Sequence, residues 1–263
     1  MQHENHINVS KSLSASGSID PGSDLKPLER LFRVSAPEFV RRHAGRATAV
    51  SNGPVERLRP LLKNAHVTDI AVLHRLAIGH SQRIRAAVVG SDGILQYETL
   101  RGDSRARITT SRGNWYIFDR LEGHFNAART MLRQICGAFG YTTLGATCRG
   151  FFHGPGASVP RHCDELDAVV LQLLGSRQWC IEPNSDPPVG VWDPVRVPVG
   201  GDGRWDADFG DARQVIDLVP GSVLYVPGAW WHQTRSQDYS YSVTLGLPGS
   251  AANAVRRQEL AED

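Results

Sequence analysis

From Thr142 onward the chain is a succession of short apolar runs, TTLGATCRGFF, AVVLQLL, RQWCIEP, SVLYVPG and YSYSVTLGL, each bounded by Gly, Pro, Asn or Asp. Short runs so regularly punctuated read as strands joined by turns. Coming after a more helical first half, they point to a β-sandwich or barrel with helices outside it. In that first half, SAPEFVRRHAG carries Ser35 where an N-cap belongs, Glu38 at capping-box spacing, Pro37 in the first turn and Gly45 where the helix can stop. PVERLRPLLKNA predicts a second short helix that Pro60 breaks or kinks. VTDIAVL, IRAAVVG and ILQYETL read as strands. HFNAARTMLRQICGAFG is the clearest helix, with Phe125, Leu132, Ile135 and Cys136 near one face and Gly137 or Gly140 to end it. Residues 1–25, rich in Ser, Gly, Asn and Asp, read as a disordered tail, and residues 26–263 as a single domain whose barrel core spans about 140–247.

A chain of 263 residues with 41% hydrophobic and 21% charged residues is long enough to bury a substantial core. A formal charge of +2 and scattered arginines argue against nucleic acid as a partner. Cys136, Cys148, Cys163 and Cys180 form no CxxC pair, so neither a zinc knuckle nor a thioredoxin-like motif is expected. The N-terminus lacks the apolar core of a signal peptide, and no run reaches membrane-spanning length. A cytoplasmic protein with free thiols, off the membrane, is the expectation.

The chemistry is concentrated in PRHCDELDAVVLQLLGSRQWCIEP, residues 160–183. A His-x-Asp pair alone is what composition produces about as often as not. In an extended strand, however, residues two apart share a face, so His162 and Asp164 can converge on one ion while Cys163 points away as a packed thiol. AVVLQLL, Gly175-Ser176 and RQWCIEP read as a hairpin that returns Arg177 to the same region. LVPGSVLYVPGAWWHQT then brings His232 in after two Pro-Gly turns, and YSYSVTLGL re-enters as a strand. Two histidines and a carboxylate with open positions are the facial triad of non-haem Fe(II) oxygenases. Arg177 offers a planar, permanently charged fork suited to a carboxylate.

On His162, Asp164, Asp167, Gln172, Gly175 and Trp179, together with PGSVLYVPGAWWH ending at His232, the sequence resembles the JmjC-type, cupin-fold Fe(II)/2-oxoglutarate oxygenases, in particular the bacterial cupin-like branch that includes ribosomal oxygenases. The resemblance covers residues 140–247 well and the helical half more loosely. It implies a mainly β fold with flanking helices, a double-stranded β-helix of the cupin or jelly-roll kind. It implies Fe(II) on His162, Asp164 and His232, and 2-oxoglutarate as cosubstrate with O2. The basic residue fifteen places after the first histidine, which holds the far carboxylate of 2-oxoglutarate in that family, falls on Arg177. Ser240 and Ser242 stand where such folds place a hydroxyl towards the cosubstrate. Trp179 and Gln172 read as core or supporting residues, Trp230 and Trp231 as either a pocket wall or aromatic packing under the turn, and His153 as a residue of the substrate mouth.

The activity implied is hydroxylation of an unactivated C–H bond, with release of succinate and CO2. About 17 residues follow Gly246, room for one short helix, whereas ribosomal oxygenases of the family carry a winged-helix region there. The expected client is therefore an amino acid, a peptide or protein side chain, or a small biosynthetic intermediate, taken by a monomer or homodimer. No histone-reading module is recognisable, so lysine demethylation ranks below hydroxylation. The competing readings are a metal-dependent cupin that does not use 2-oxoglutarate, which would have no use for Arg177, and a non-enzymatic cupin-fold binding protein, which would have lost a ligand.

Overall fold

The computed structural model describes residues 27–62, 84–89, 95–100, 113–184 and 209–249. Its first half is helical where local signals are strongest. α1 (Pro27–Phe32) leads into α2 (Ala36–His43), whose first turn is closed by the Glu38 N–H donating to Ser35 Oγ at 3.4 Å. Gly45, at φ +65°, then turns the chain out of the helix. Pro60 does not interrupt a helix. A 3-10 turn at Val55–Leu58 gives way to α3 (Arg59–Leu62), and the proline falls in its first turn, where no N–H is needed. A single turn, α4 (Leu121–His124), precedes α5 (Asn126–Phe139), which buries Ala128, Met131, Leu132, Ile135, Cys136 and Phe139 and ends at Gly140 (φ +73°) rather than Gly137.

Twelve strands are formed among the described residues: β1 (Ala49–Ser51), β2 (Ile84–Val89), β3 (Leu95–Leu100), β4 (Trp115–Phe118), β5 (Thr147–His153), β6 (Ser158–His162), β7 (Asp167–Leu174), β8 (Arg177–Glu182), β9 (Gln214–Leu218), β10 (Val223–Val226), β11 (Trp231–Arg235) and β12 (Ser240–Leu247). They build an eight-stranded sheet, β1-β10-β7-β12-β5-β4-β2-β3, and a four-stranded sheet, β6-β11-β8-β9, with every pairing antiparallel. From β5 to β12 the chain passes back and forth between the two sheets, which is the double-stranded β-helix of cupins. Side-chain alternation sorts β12: Tyr241, Val243 and Leu245 join the core beneath α1, α2 and α5, while Ser240, Ser242 and Thr244 take the opposite face. Phe39, fully buried against Phe32, Phe139 and Tyr225, ties the helices to that core. Burying one such aromatic ring contributes about 1.5–3 kcal/mol.

One strand relationship departs from expectation. β7 and β8 are not a hairpin: β7 is already paired on both edges, with β10 and β12, and β8 pairs with β11 and β9 in the other sheet. The Gly175-Ser176 link is a crossing between sheets. Gly175 has φ +59°, and a Cβ there would fall 1.5 Å from the Tyr239 carbonyl oxygen, so only glycine fits this approach to the chain entering β12. The Gln172 amide donates to the Leu174 and Gly175 carbonyls and to Ser240 Oγ, holding the crossing closed. The readings of residues 1–25 as a tail, of VTDIAVL as a strand and of residues 250–263 as a short helix lie outside the described residues. Among the described residues, no helix is long and apolar enough to cross a membrane.

Candidate metal centre

His162 and His232 face one another across the β6–β11 pair. His162 ends β6, and Asp164 lies just past it in the connection to β7, so the pair converges without sharing a strand. One ligand atom from each of His162, Asp164 and His232 lies within 4.8 Å of the others, with His232 Nε2 3.6 Å from Asp164 Oδ2 and the two imidazoles 4.2 Å apart. A bulge in β6 shifts the β11 register between His232 and Thr234.

Each ring is set by its own chain. His162 Nδ1 is 2.8 Å from the Pro160 carbonyl and His232 Nδ1 is 3.1 Å from the Trp230 carbonyl. The geometry assigns an Nδ1–H donor to both rings and leaves both Nε2 lone pairs to the shared space. Burial, then the neighbouring His162, push His232 down to about 4, so it is a neutral donor at neutral pH. Trp179 lies against His232 with ring centroids 5.5 Å apart and planes 26° apart.

The second half of the site is a cation. Arg177 opens β8 and is buried, its guanidinium 5.2 Å from the centre of the Trp179 ring. One terminal nitrogen donates to Thr234 Oγ1, and Nε has no partner. Among the described residues no carboxylate pairs with it. Burial lowers its pKa to about 9. The three ligand residues, Arg177 and Thr234 line one cavity between the sheets, with Tyr97 and Trp115 on its wall.

The serines are placed differently from the ligands. Ser240 Oγ accepts from the Gln172 amide, and Ser242 Oγ is buried without a partner; neither lines this cavity. The hydroxyls that do line it are those of Thr234, Thr244 and Tyr97. His153 is not at a mouth. It is fully buried and stacked on Trp115 at 5.4 Å, its ring nitrogens unpartnered, and burial, then Arg177, hold it well below the usual histidine range. Trp231 lies against the Arg161 guanidinium at 4.2 Å, while Trp230 packs against the apolar cluster to which Val170, Trp179 and Ile181 belong. All four cysteines are free thiols, and Cys163 is half-buried with its pKa raised by burial, then by Asp164.

The JmjC-domain family model matches residues 125–255, taking in β5 to β12 and all three converging residues. This chain belongs to the JmjC-domain family. The JmjC domain here superimposes on the ribosomal oxygenase YcfD of Escherichia coli. One YcfD structure gives a TM-score of 0.59 at 18% identity, over 88% of this chain and 60% of that one. A YcfD complex with cobalt and 2-oxoglutarate gives 0.52 at 17% identity, over 89% and 59%. At these identities the likeness is one of fold. By sequence, HSPB1-associated protein 1 of Mus musculus is 33% identical over 97 residues, which is 32% of this chain and 20% of that protein. The bifunctional lysine-specific demethylase and histidyl-hydroxylase NO66 of Drosophila pseudoobscura pseudoobscura is 30% identical over 88 residues, 33% of this chain and 8% of that protein. The chain thus matches only a small part of the curated relatives' length.

Behind the JmjC centre stands Asp167, buried at the start of β7. Its Oδ1 accepts from the Gly228 N–H at 2.7 Å and its Oδ2 from the Tyr225 hydroxyl at 3.0 Å, while the next N–H, that of Ala229, donates to the Asp164 carbonyl at 2.6 Å. The loop carrying Asp164 and the turn before His232 are therefore fastened to each other, with Ala229 held at φ +63°. Asp167→Asn is expected to weaken divalent-metal binding about tenfold, the lower range for loss of a supporting hydrogen bond. Chelator competition on folded protein measures it, and an unchanged affinity would remove Asp167 from this role.

Proposed function

We propose that this JmjC domain is an Fe(II)- and 2-oxoglutarate-dependent oxygenase that hydroxylates an unactivated C–H bond of an amino acid, a peptide or protein side chain, or a small intermediate, releasing succinate and CO2. The observation carrying this reading is Arg177. A buried guanidinium with an orphaned Nε opens into the cavity of the facial triad, and a group so placed is costly unless an anion joins it. The far carboxylate of 2-oxoglutarate is such an anion, and a YcfD structure of the same fold holds cobalt and 2-oxoglutarate together. A cupin enzyme that does not use 2-oxoglutarate would have no need of this arginine.

The donor set fits the metal. Two imidazole Nε2 atoms and one carboxylate suit ferrous iron and leave positions open, and the carbonyl-bound Nδ1 atoms keep both rings from turning away. When bound, Fe(II) with 2-oxoglutarate supplies the activation of O2 and the oxidation of the C–H bond. The chain supplies orientation. Thr234 fixes the Arg177 fork, Trp179 lies against both Arg177 and His232, and the aromatic wall of Trp115 and Tyr97 limits water.

The test is anaerobic addition of Fe(II) and 2-oxoglutarate to the wild-type protein. A weak visible charge-transfer band is expected, and on admission of air, succinate. Protein that binds iron yet shows neither band nor succinate would overturn the reading.

A further inference from the structure

We propose that the substrate taken by this centre carries a carboxylate, and that Arg149 is the residue that binds it, with the substrate's apolar body lying along Phe151 and Trp115. The inference rests on the functional reading above only for what happens to the substrate; the anion site stands on its own geometry. Arg149 and Phe151 lie two apart on β5, so they share a face. Both line the metal cavity, and both also line a groove of about 650 Å³ adjoining it, which contains Tyr141 and Leu144. Arg149 thus stands where one space opens into the other, about one-third of its side chain exposed.

Its charge is incompletely answered. Asp119, the carboxylate with which it forms an ion pair, is gripped by both Nε and Nη2 of Arg85, at 2.6 and 2.8 Å. Arg149 Nε reaches the same carboxylate only at 3.3 Å, without a hydrogen bond, and among the described residues its terminal nitrogens have no hydrogen-bond partner. Two guanidinium groups on the cavity wall therefore share one carboxylate. The groove's own acids do not compensate: Asp164 belongs to the metal centre, Asp167 is closed in by Tyr225 and Gly228, and Glu165 is exposed and forms no ion pair with Arg149. At the centre the charges balance, since Fe(II), Asp164, 2-oxoglutarate and Arg177 sum to zero. The unanswered positive charge lies where a substrate would arrive. Beside it, Phe151 and Trp115, with Tyr97 edge-on to Trp115 at 5.6 Å, offer an apolar surface to the rest of the molecule. A guanidinium that lines a cavity with its terminal nitrogens free of hydrogen bonds among the described residues is suited to bidentate carboxylate recognition.

The experiment uses the full chain with Co(II) in place of iron and saturating 2-oxoglutarate, so that Arg177 is engaged before the probe is added. Two probe pairs are titrated by calorimetry and tryptophan fluorescence: 3-phenylpropionate against 3-phenylpropanamide, and acetyl-Phe-Asp-amide against acetyl-Phe-Asn-amide. An acid is expected to bind about 10- to 100-fold more tightly than its amide, the range for a charge-assisted pair. Preference in the first pair places the carboxylate on a free small molecule, and preference in the second places it within a peptide. Arg149→Gln should erase the preference and Arg149→Lys should retain part of it. Should Arg149→Gln fail to fold, equal binding in the wild type still overturns the proposal, and Arg149→Lys still tests the assignment to Arg149. Equal binding of acid and amide in both pairs, or a preference that survives Arg149→Gln, overturns the proposal. Because binding is read directly, an Arg149-dependent preference for the acid stands even if 2-oxoglutarate does not bind, an outcome that would sink only the functional reading.

Discussion

Arg177→Met is expected to raise the dissociation constant for 2-oxoglutarate about 100-fold while making the ligand-free protein more stable. The two effects have one cause. The guanidinium is buried with one hydroxyl partner, Thr234, and no paired carboxylate among the described residues. Removing one partner of a buried charged pair costs about 2–5 kcal/mol of binding. Replacing even a paired buried charge by well-packed apolar groups is often neutral or stabilising by about 1–4 kcal/mol, and a charge without a counterion gains at least as much from removal. The sign of the pH dependence follows from burial holding Arg177 at about 9. Between that value and the ordinary arginine range, the unfolded chain keeps a proton that the folded chain has released, so folding gains as pH rises. The stability gap between variant and wild type should be full below about pH 9 and close above it. Calorimetric titration of 2-oxoglutarate and thermal melts at several pH values measure both. A variant that binds 2-oxoglutarate as the wild type does, or melts lower at pH 7, would contradict the assignment.

His232→Ala is expected to lower divalent-metal affinity by at least about 100-fold and to abolish the charge-transfer band and succinate formation. His232 supplies one of only three donors, and its Nε2 is already aimed by the Trp230 carbonyl. A two-donor remnant leaves the ion held by water in place of protein, and loss even of a supporting hydrogen bond costs about 10- to 100-fold. The truncation also opens space beside Trp179, which packs on the imidazole, so a moderate drop in melting temperature should accompany it. Cobalt titration by visible absorption separates the effects: a folded variant that still binds cobalt tightly would show that the three residues do not form one centre.

The fold was legible where strands were apolar and caps explicit. Ser35, Gly45, Gly140 and the runs that become β5, β7, β8, β10 and β12 all carry local signals. β11 carried none, because WHQTR turns polar residues inward: His232 and Thr234 face the site, where a strand of the core would present aliphatic groups. The β7–β8 turn looked like a hairpin because two residues around a glycine fit one, and only the pairing of β7 with β10 and β12 on both edges forbids it. His162, Asp164, Arg177 and His232 were visible as a spaced pattern, and the structure brings all four to one cavity. Thr234 could have been found as the residue two beyond His232 on the same face. Arg149 and Tyr97 could not, since β5 and β3 meet the site only through the closure of the barrel.

The pairing of β6 with β11 has a consequence for how the protein acquires its metal. These strands are far apart in sequence, and each brings one histidine, so the three donors are assembled only when β6 pairs with β11, and the native chain binds the ion far better than the unfolded one. The ion is then chiefly a ligand of the native state, and its uptake adds to the free energy of folding by mass action, about 2.7 kcal/mol when free metal stands at 100 times its dissociation constant. On the proposed function, iron starvation would therefore do more than silence the activity. It would shift the chain towards its unfolded ensemble and expose it to proteolysis, linking the abundance of the protein to the supply of its metal.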